Sequence, residues 1–374
     1  MPPCPSFQPM VRLRNIRSGP LRCLSLDVQA GEILTVLGPR HSGKTRLLMV
    51  LAGFAPAKAG EVLLGGRPIA RTPPHRRGIG VVFRRDALFG SLSVAGNVGF
   101  PLRARGVGRR ERQARVAAML EAAGLGGLAD RRPRDLDRVQ RRRALLARAL
   151  IGAPDLLLLD EPLRGLEPAP RAALREAMRE LCRGRTVIHA SADATDALAL
   201  SDRVAVLAGG AIAQLGAPET LYTAPSSAAV ARSLGEINQL PGVLTAIEED
   251  TASVRLACGP LAEATLADAA PETPWAVGQP CLLLVRPERV AVAAVSADEL
   301  GGNALPAALR EIVHLGPRLR LRITLGMTPA EGSELIVDRP AVAGLAGLSP
   351  GRSVAVAWQP AHACVVRPES APAR

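Results

Sequence analysis

Gly38-Pro39-Arg40-His41-Ser42-Gly43-Lys44-Thr45 is the feature that leaves this chain the fewest folds. It satisfies G-x-x-x-x-G-K-[ST] in full and stands between two segments of definite character. Before it, Ile33-Leu34-Thr35-Val36-Leu37 is a β-branched and apolar run that reads as a buried strand. After it, Arg46-Leu47-Leu48-Met49-Val50-Leu51-Ala52 reads as a buried helix closed by Gly53. Strand, glycine-rich loop and helix in that order make a phosphate cradle, because backbone N–H groups face the oxygens and the helix adds its positive end. Lys44 is then placed to reach the β- and γ-phosphates of a nucleotide, and the Thr45 hydroxyl to ligate Mg²⁺. Gly38, Pro39, Arg40, His41, Ser42, Gly43, Lys44, Thr45 and Arg46 are the expected nucleotide contacts. A chance glycine-rich turn is the alternative. The flanking strand and helix weigh against it, as does the use here of one of only two lysines in the chain, Lys44 and Lys58.

A second apolar run, 156–159, ends in Asp160-Glu161-Pro162. In a P-loop fold such a strand is expected beside the first, bringing Asp160 into the Mg²⁺ shell. Glu161 is then placed to polarise an attacking water as general base. An acidic pair also suits a helix start, but beside a P-loop that reading is the weaker one.

Elsewhere, residues 84–153 are rich in Arg, Ala and Leu at helical spacing, with Val116, Met119, Leu120 and Ala123 on one face. Leu174, Ala177, Met178 and Leu181 mark another amphipathic helix. Runs 186–190 and 203–207 read as strands, and Gly209-Gly210 as a hairpin turn into 211–215. Strands alternating with helices predict a mainly parallel sheet over roughly 11–235. Residues 1–10 read as a loose proline-rich tail. The character changes near 235–241, beyond which short alternating runs such as 319–325 predict a small all-β barrel or sandwich.

Four stretches carry a family resemblance: LTVLGPRHSGKTRLLMVLAGF (34–54), RRGIGVVFRRDALFGSLSVAGNVGFPLRARGV (76–107), RRRALLARALIGAPDLLLLDEPL (141–163) and ALALSDRVAVLAGGAIAQLGAPETLY (197–222). From about residue 11 to about 368 the chain resembles the ATP-binding subunit of an ABC importer with a C-terminal TOBE-like domain. GEINQLPG (235–242) and VRPERV (285–290) look most like the spermidine/putrescine-type subunits. The resemblance implies an α/β P-loop NTPase (ABC ATPase) domain over 11–235, with a helical subdomain at about 85–153. It implies a small all-β, OB-like (TOBE) regulatory domain over 236–374. ATP and Mg²⁺ are the implied cofactors. The implied partners are membrane permease subunits, a second ATPase subunit in a homo- or heterodimer and, indirectly, an extracytoplasmic solute-binding protein. The implied location is peripheral, on the cytoplasmic face of the inner membrane.

The chain departs from this family at specific places. The signature LSGGQ falls on Leu136-Asp137-Arg138-Val139-Gln140, where only the Leu and Gln remain. In the family this segment caps the γ-phosphate held by the other subunit, so Gln140 carries over as a nucleotide contact. Asp137 instead puts a carboxylate where an anion is to be bound, and Val139 cannot take glycine's positive-φ conformations cheaply. Arg138 is either a phosphate donor or part of a solvated helix start. The Q-loop glutamine falls on Arg84, the switch histidine on Ala192 and the D-loop aspartate on Glu167. His189, three residues before Ala192, reads as a core or edge residue. No aromatic lies between Met10 and Gly31 to stack on adenine. Groups that bind phosphate and Mg²⁺ remain, while groups that sense the γ-phosphate or complete the partner's site are altered. Slow hydrolysis as a homodimer is the expectation, the alternative being that Lys44, Asp160 and Glu161 work with a competent partner's signature.

Three functions compete. The first is an ATPase subunit energising import of a small solute such as a polyamine, and the second a degenerate ATP-binding subunit or regulator with little hydrolysis of its own. The third is a nucleic-acid-binding protein, invited by a net charge of +13. Only 2 Trp, 1 Tyr and 5 Phe occur, too few for base stacking, and no nucleic-acid motif is recognised, so no nucleic-acid partner is expected. No run approaches the ~20 apolar residues of a membrane helix. The first residues lack the apolar core of a signal peptide. The 6 scattered cysteines fit reduced thiols better than a disulfide frame or zinc site.

Overall fold

The computed structural model describes residues 9–84, 87–267, 274–294, 304–326, 333–341 and 348–368. Most of the proline-rich tail, and Arg85-Asp86 of the Q-loop stretch, lie outside the described residues. Two compact units divide the chain between Pro218 and Glu219.

The first unit runs β1 (Val11–Ser18), β2 (Leu21–Val28), β3 (Ile33–Leu37), α1 (Lys44–Ala52), β4 (Ala59–Leu64), β5 (Arg67–Pro68) and β6 (Ile79–Val82). Three helices follow, α2 (Val94–Ala104), α3 (Arg109–Ala122) and α4 (Arg138–Leu150). The chain then returns through β7 (Leu156–Asp160), α5 (Pro168–Cys182), β8 (Val187–Ser191), α6 (Ala194–Leu200), β9 (Arg203–Ala208) and β10 (Ala211–Gly216). Six strands form one sheet in the order β10-β9-β3-β8-β7-β6. All its pairs are parallel except β10 with β9, which the Gly209-Gly210 turn joins as a hairpin.

Both faces of this sheet are covered, which is why its strands read as continuous apolar runs. Leu156 and Leu158 of β7 join a cluster with Leu47 and Leu51 of α1. Leu157 and Leu159 face the other way, toward Leu174, Met178 and Cys182 of α5. The most buried positions of α5 are thus these three, with Ala177 and Leu181 half-buried at the edge of the stripe. One expectation needs correcting: β7 does not run beside β3, because β8 lies between them. A second sheet, β2-β1-β4-β5, is antiparallel and was not anticipated.

In the helical part, Val98 and Leu102 of α2, Val116 and Leu120 of α3 and Ala144 and Ala147 of α4 form their own core. α4 begins at a capping box. The Asp137 carboxylate accepts from Gln140 N at 2.8 Å, and Gln140 Oε1 accepts from Asp137 N at 3.0 Å.

After two short helices, α7 (Pro218–Thr223) and α8 (Ala228–Ser233), the described residues of the second unit are mostly strands: β11 (Asn238–Glu248), β12 (Thr251–Leu256), β13 (Leu261–Leu266), β14 (Pro280–Val285), β15 (Ala291–Ala293), β16 (Leu305–His314), β17 (Arg318–Leu325), β18 (Glu334–Pro340), β19 (Ser353–Ala357) and β20 (Ala363–Val366). Five close into a barrel, β11-β12-β13-β20-β14, and five form a sheet, β15-β19-β16-β17-β18. In β17 the predicted alternation holds: Leu319, Leu321, Ile323 and Leu325 are buried. On its opposite face Arg320 makes a two-pronged pair with Asp338, at 2.8 and 2.9 Å. Trp358 is buried and donates its indole N–H to Glu263 O, while His314 is exposed on β16.

Candidate functional site

The loop after β3 is shaped by two glycines. Gly43 takes φ +111°, and a Cβ there would meet Leu21 Cδ2 at 2.7 Å. A Cβ on Gly38 would lie 2.6 Å from Leu207 O. Neither position admits a side chain without a shift, so the backbone itself forms the wall of the loop. Lys44 is buried and its ammonium donates to the carbonyls of Gly38 at 2.7 Å and Pro39 at 2.8 Å. The lysine thereby spans its own loop. The Ser42 hydroxyl is buried without a protein partner. Arg46 is drawn back to Ser18 Oγ at 2.8 Å.

Thr45, on the first turn of α1, donates its hydroxyl to Asp160, 3.0 Å from Oδ1 and 3.2 Å from Oδ2. The intervening β8 does not keep them apart, because α1 packs over both β7 and β8. Burial pushes the Asp160 carboxyl up from its ordinary value, with the Thr45 hydrogen bond opposing. Burial likewise pushes Lys44 down, against the attraction of Glu161 and Asp160. Desolvation outweighs attraction in both, the condition of a charge pair short of solvation. A hydroxyl and a buried carboxylate converging at the loop's end are hard oxygen donors, the set that fits a magnesium ion.

Glu161 follows at the end of β7. Its N–H donates to Ala190 O at 2.9 Å, and its φ is +48°, in the left-handed region that non-glycine residues rarely occupy. Its carboxylate is not free. Oε2 lies 2.9 Å from Arg164 Nη1 and 3.9 Å from Arg84 Nη1. A cleft of about 630 Å³ lies over these groups, lined by Arg40, His41, Gly43, Lys44, Thr45, Arg46, Arg84, Glu161 and Arg164 among others. The structure therefore brings the glycine loop, Thr45, Asp160 and Glu161 together. Gln140 is not among the residues lining this cleft. Arg138 also turns elsewhere, donating to Gly165 O at 3.2 Å. The role of Arg164 was missed in the sequence, although its place three residues after Glu161 is a visible signal.

A second cleft of about 220 Å³ is lined by Arg40, Glu161, Arg164, Arg171, His189, Ala192 and Asp196 among others. Asp196 is buried and accepts from Arg171 and Arg175. His189 is buried in β8, its Nδ1 3.0 Å from Thr35 Oγ1 and its Nε2 unpartnered. Burial pushes this imidazole down to about 4. An unfolded histidine titrates near ~6.5, so between the two values the unfolded chain binds a proton that the folded chain refuses. The contribution of His189 is complete above the unfolded value and is lost as pH falls toward the folded one. Moving from about pH 7.5 to about pH 5 is expected to cost ~2 kcal/mol through this group. Urea unfolding at both pH values checks it: His189→Gln should lose less stability than the wild-type chain by that amount, and an equal loss would contradict it.

The ABC transporter family profile matches residues 21–164, and the TOBE domain profile matches residues 283–366. The chain is 36% identical over 363 residues to the spermidine/putrescine import ATP-binding protein PotA of Rubrobacter xylanophilus, which covers 95% of this chain and 93% of the relative. It is 39% identical over 331 residues to a PotA of Pseudomonas aeruginosa, covering 86% of each. It is also 35% identical to the Fe(3+) ions import ATP-binding protein FbpC of Rhizobium etli, over 76% of this chain and 79% of that one.

Proposed function

Because the chain belongs to the ABC transporter family, as the ATP-binding subunit of an importer, we propose that its P-loop cleft takes Mg·ATP and that the imported solute is a polyamine. Its architecture is that of an ABC ATPase followed by a TOBE domain. The observation that carries the Mg·ATP reading is the Thr45–Asp160 contact at 3.0 Å, which ties the strand-end carboxylate to the phosphate loop. In this reading the loop amides of residues 38–46 and the Lys44 ammonium bind the phosphates, and Thr45 and Asp160 hold Mg²⁺. The ion offsets charge on the β- and γ-phosphates when bound. Glu161 accepts a proton from the attacking water. Gln140 and its neighbours face the nucleotide of a second ATPase subunit. Relatives named for spermidine and putrescine, together with GEINQLPG and VRPERV, support the polyamine solute over ferric ion.

Membrane permease subunits and an extracytoplasmic binding protein complete the proposed assembly. Among the described residues no helix is long and apolar enough to cross a membrane, so attachment to the cytoplasmic face would come through those permeases.

A specific set of contacts favours low intrinsic turnover. The Asp137 carboxylate sits at the N-terminus of α4, Arg138 is committed to Gly165, and Glu161 is held by two guanidiniums. The purified chain should bind ATP yet hydrolyse it at least ~10²-fold more slowly than an importer subunit that keeps the LSGGQ signature, on the scale of one lost transition-state donor. Turnover by the purified chain at such a subunit's rate, abolished in Glu161→Gln, would count against this. Co-purification from membranes, followed by ATPase assays with and without spermidine, tests the partner and solute assignments.

A further inference from the structure

Arg84 occupies a position that matters to charge. It hangs from the end of β6, the strand beside β7, and its carbonyl is tied to α4 by Arg142 Nη2 at 3.1 Å. The preceding Phe83 packs on Phe54 at 5.6 Å between ring centroids. The backbone is thus fixed while the guanidinium reaches into the cleft, 3.9 Å from Glu161 Oε2. The same oxygen already has Arg164 at 2.9 Å. One carboxylate cannot neutralise two guanidiniums, so positive charge is left over. The lining shows the same excess: Arg40, Lys44, Arg46, Arg84 and Arg164 against Glu161 alone. Arg46 is turned to Ser18 and Lys44 to its own loop. Glu161, which Arg84 faces, directly follows Asp160, the carboxylate that meets Thr45, so the guanidinium stands on the same side of the cleft as that pair.

We propose that Arg84 is a built-in counter-ion for the nucleotide's phosphates, placed beside the magnesium position, so that nucleotide binding by this chain depends little on a divalent cation. The inference rests on the ATP reading of the cleft and adds to it. A triphosphate offers the guanidinium oxygens of higher charge density than the shared Glu161 carboxylate, in the forked geometry arginine favours. Half-exposed as it is, Arg84 is screened, so its effect should be nearer tenfold than a thousandfold.

The test is the dissociation constant of ATP, measured by calorimetry in Mg²⁺ and in EDTA, for the wild-type chain, Arg84→Ala and Arg84→Lys. The wild-type chain should weaken by less than ~10-fold on going to EDTA, and Arg84→Ala by at least ~10-fold more than that, which is ~1.4 kcal/mol. Arg84→Lys, which keeps the charge, should recover most of the difference. Thermal melting of each variant confirms that the fold is intact. Equal EDTA penalties for the wild-type chain and Arg84→Ala overturn the inference while leaving the ATP reading standing. No ATP binding by the wild-type chain in either buffer overturns both.

Discussion

Lys44→Ala is expected to abolish nucleotide capture, weakening ATP by at least ~100-fold, or ~2.7 kcal/mol. The ammonium is already stripped of water inside the loop, where it donates to the Gly38 and Pro39 carbonyls. A phosphate arriving there meets a charge whose desolvation was met on folding, so little of the attraction is spent on shedding water. Removing the lysine deletes that charge and leaves two loop carbonyls without their donor, at ~1–3 kcal/mol for each buried group that water cannot reach. Calorimetric titration with ATP checks the affinity, and a melting curve checks the fold. An affinity within threefold of wild type would mean that the loop is not the phosphate site.

The second large effect runs in the opposite direction. Replacing Asp137-Arg138-Val139 by Ser-Gly-Gly is expected to raise steady-state ATP turnover by ~10²–10³, the worth of a restored transition-state donor. Each change has a physical reason. Serine at position 137 keeps the capping box, because its hydroxyl accepts from Gln140 N as the Asp137 carboxylate does now. It also removes a negative charge from a surface proposed to meet a γ-phosphate. Glycine at 138 frees the Gly165 loop from a guanidinium, and glycine at 139 restores backbone freedom that valine lacks, at the cost of its packing on the cluster that holds Leu145 and Leu146. The cost is helix propensity, ~1 kcal/mol for each glycine in the first turn of α4. Glu161→Gln in the same background must remove the gain, and unchanged turnover in the triple variant would show that this segment does not complete the site of a second subunit.

Much of the first unit was legible because its signals are local. The apolar run to Leu37, the loop and the helix after Lys44 are contiguous, and each supports the reading of the next. The neighbours of β7 were not legible, since β3, β7 and β8 all read as buried strands and the chain does not state which pairs with which. Thr45 and Asp160 meet regardless, because α1 crosses over both strands.

The antiparallel sheet was missed for a different reason. Val11, Leu13 and Ile16 are buried and would mark β1, but register shifts after Leu13 and Ile16 break the two-residue period. Asn15 at φ +50° and Cys23 at φ +51° lie at these irregularities in β1 and its partner β2. Pattern reading needs an unbroken period, and a bulged strand withholds it. The Arg84–Glu161–Arg164 cluster was only partly visible. Arg84 stood out as a departure at its position, but which group it faces is a property of the sheet order.

The backbone of Glu161 carries a consequence for how such a subunit can change over generations. At φ +48° a glutamate is strained by ~1 kcal/mol relative to residues at ease in that region, and asparagine is one of those. Exchanging it would relieve the strain while deleting the proposed proton acceptor, and water could solvate the two released arginines. Drift under pressure for robustness alone would therefore erase hydrolysis here well before it erased the nucleotide's seat.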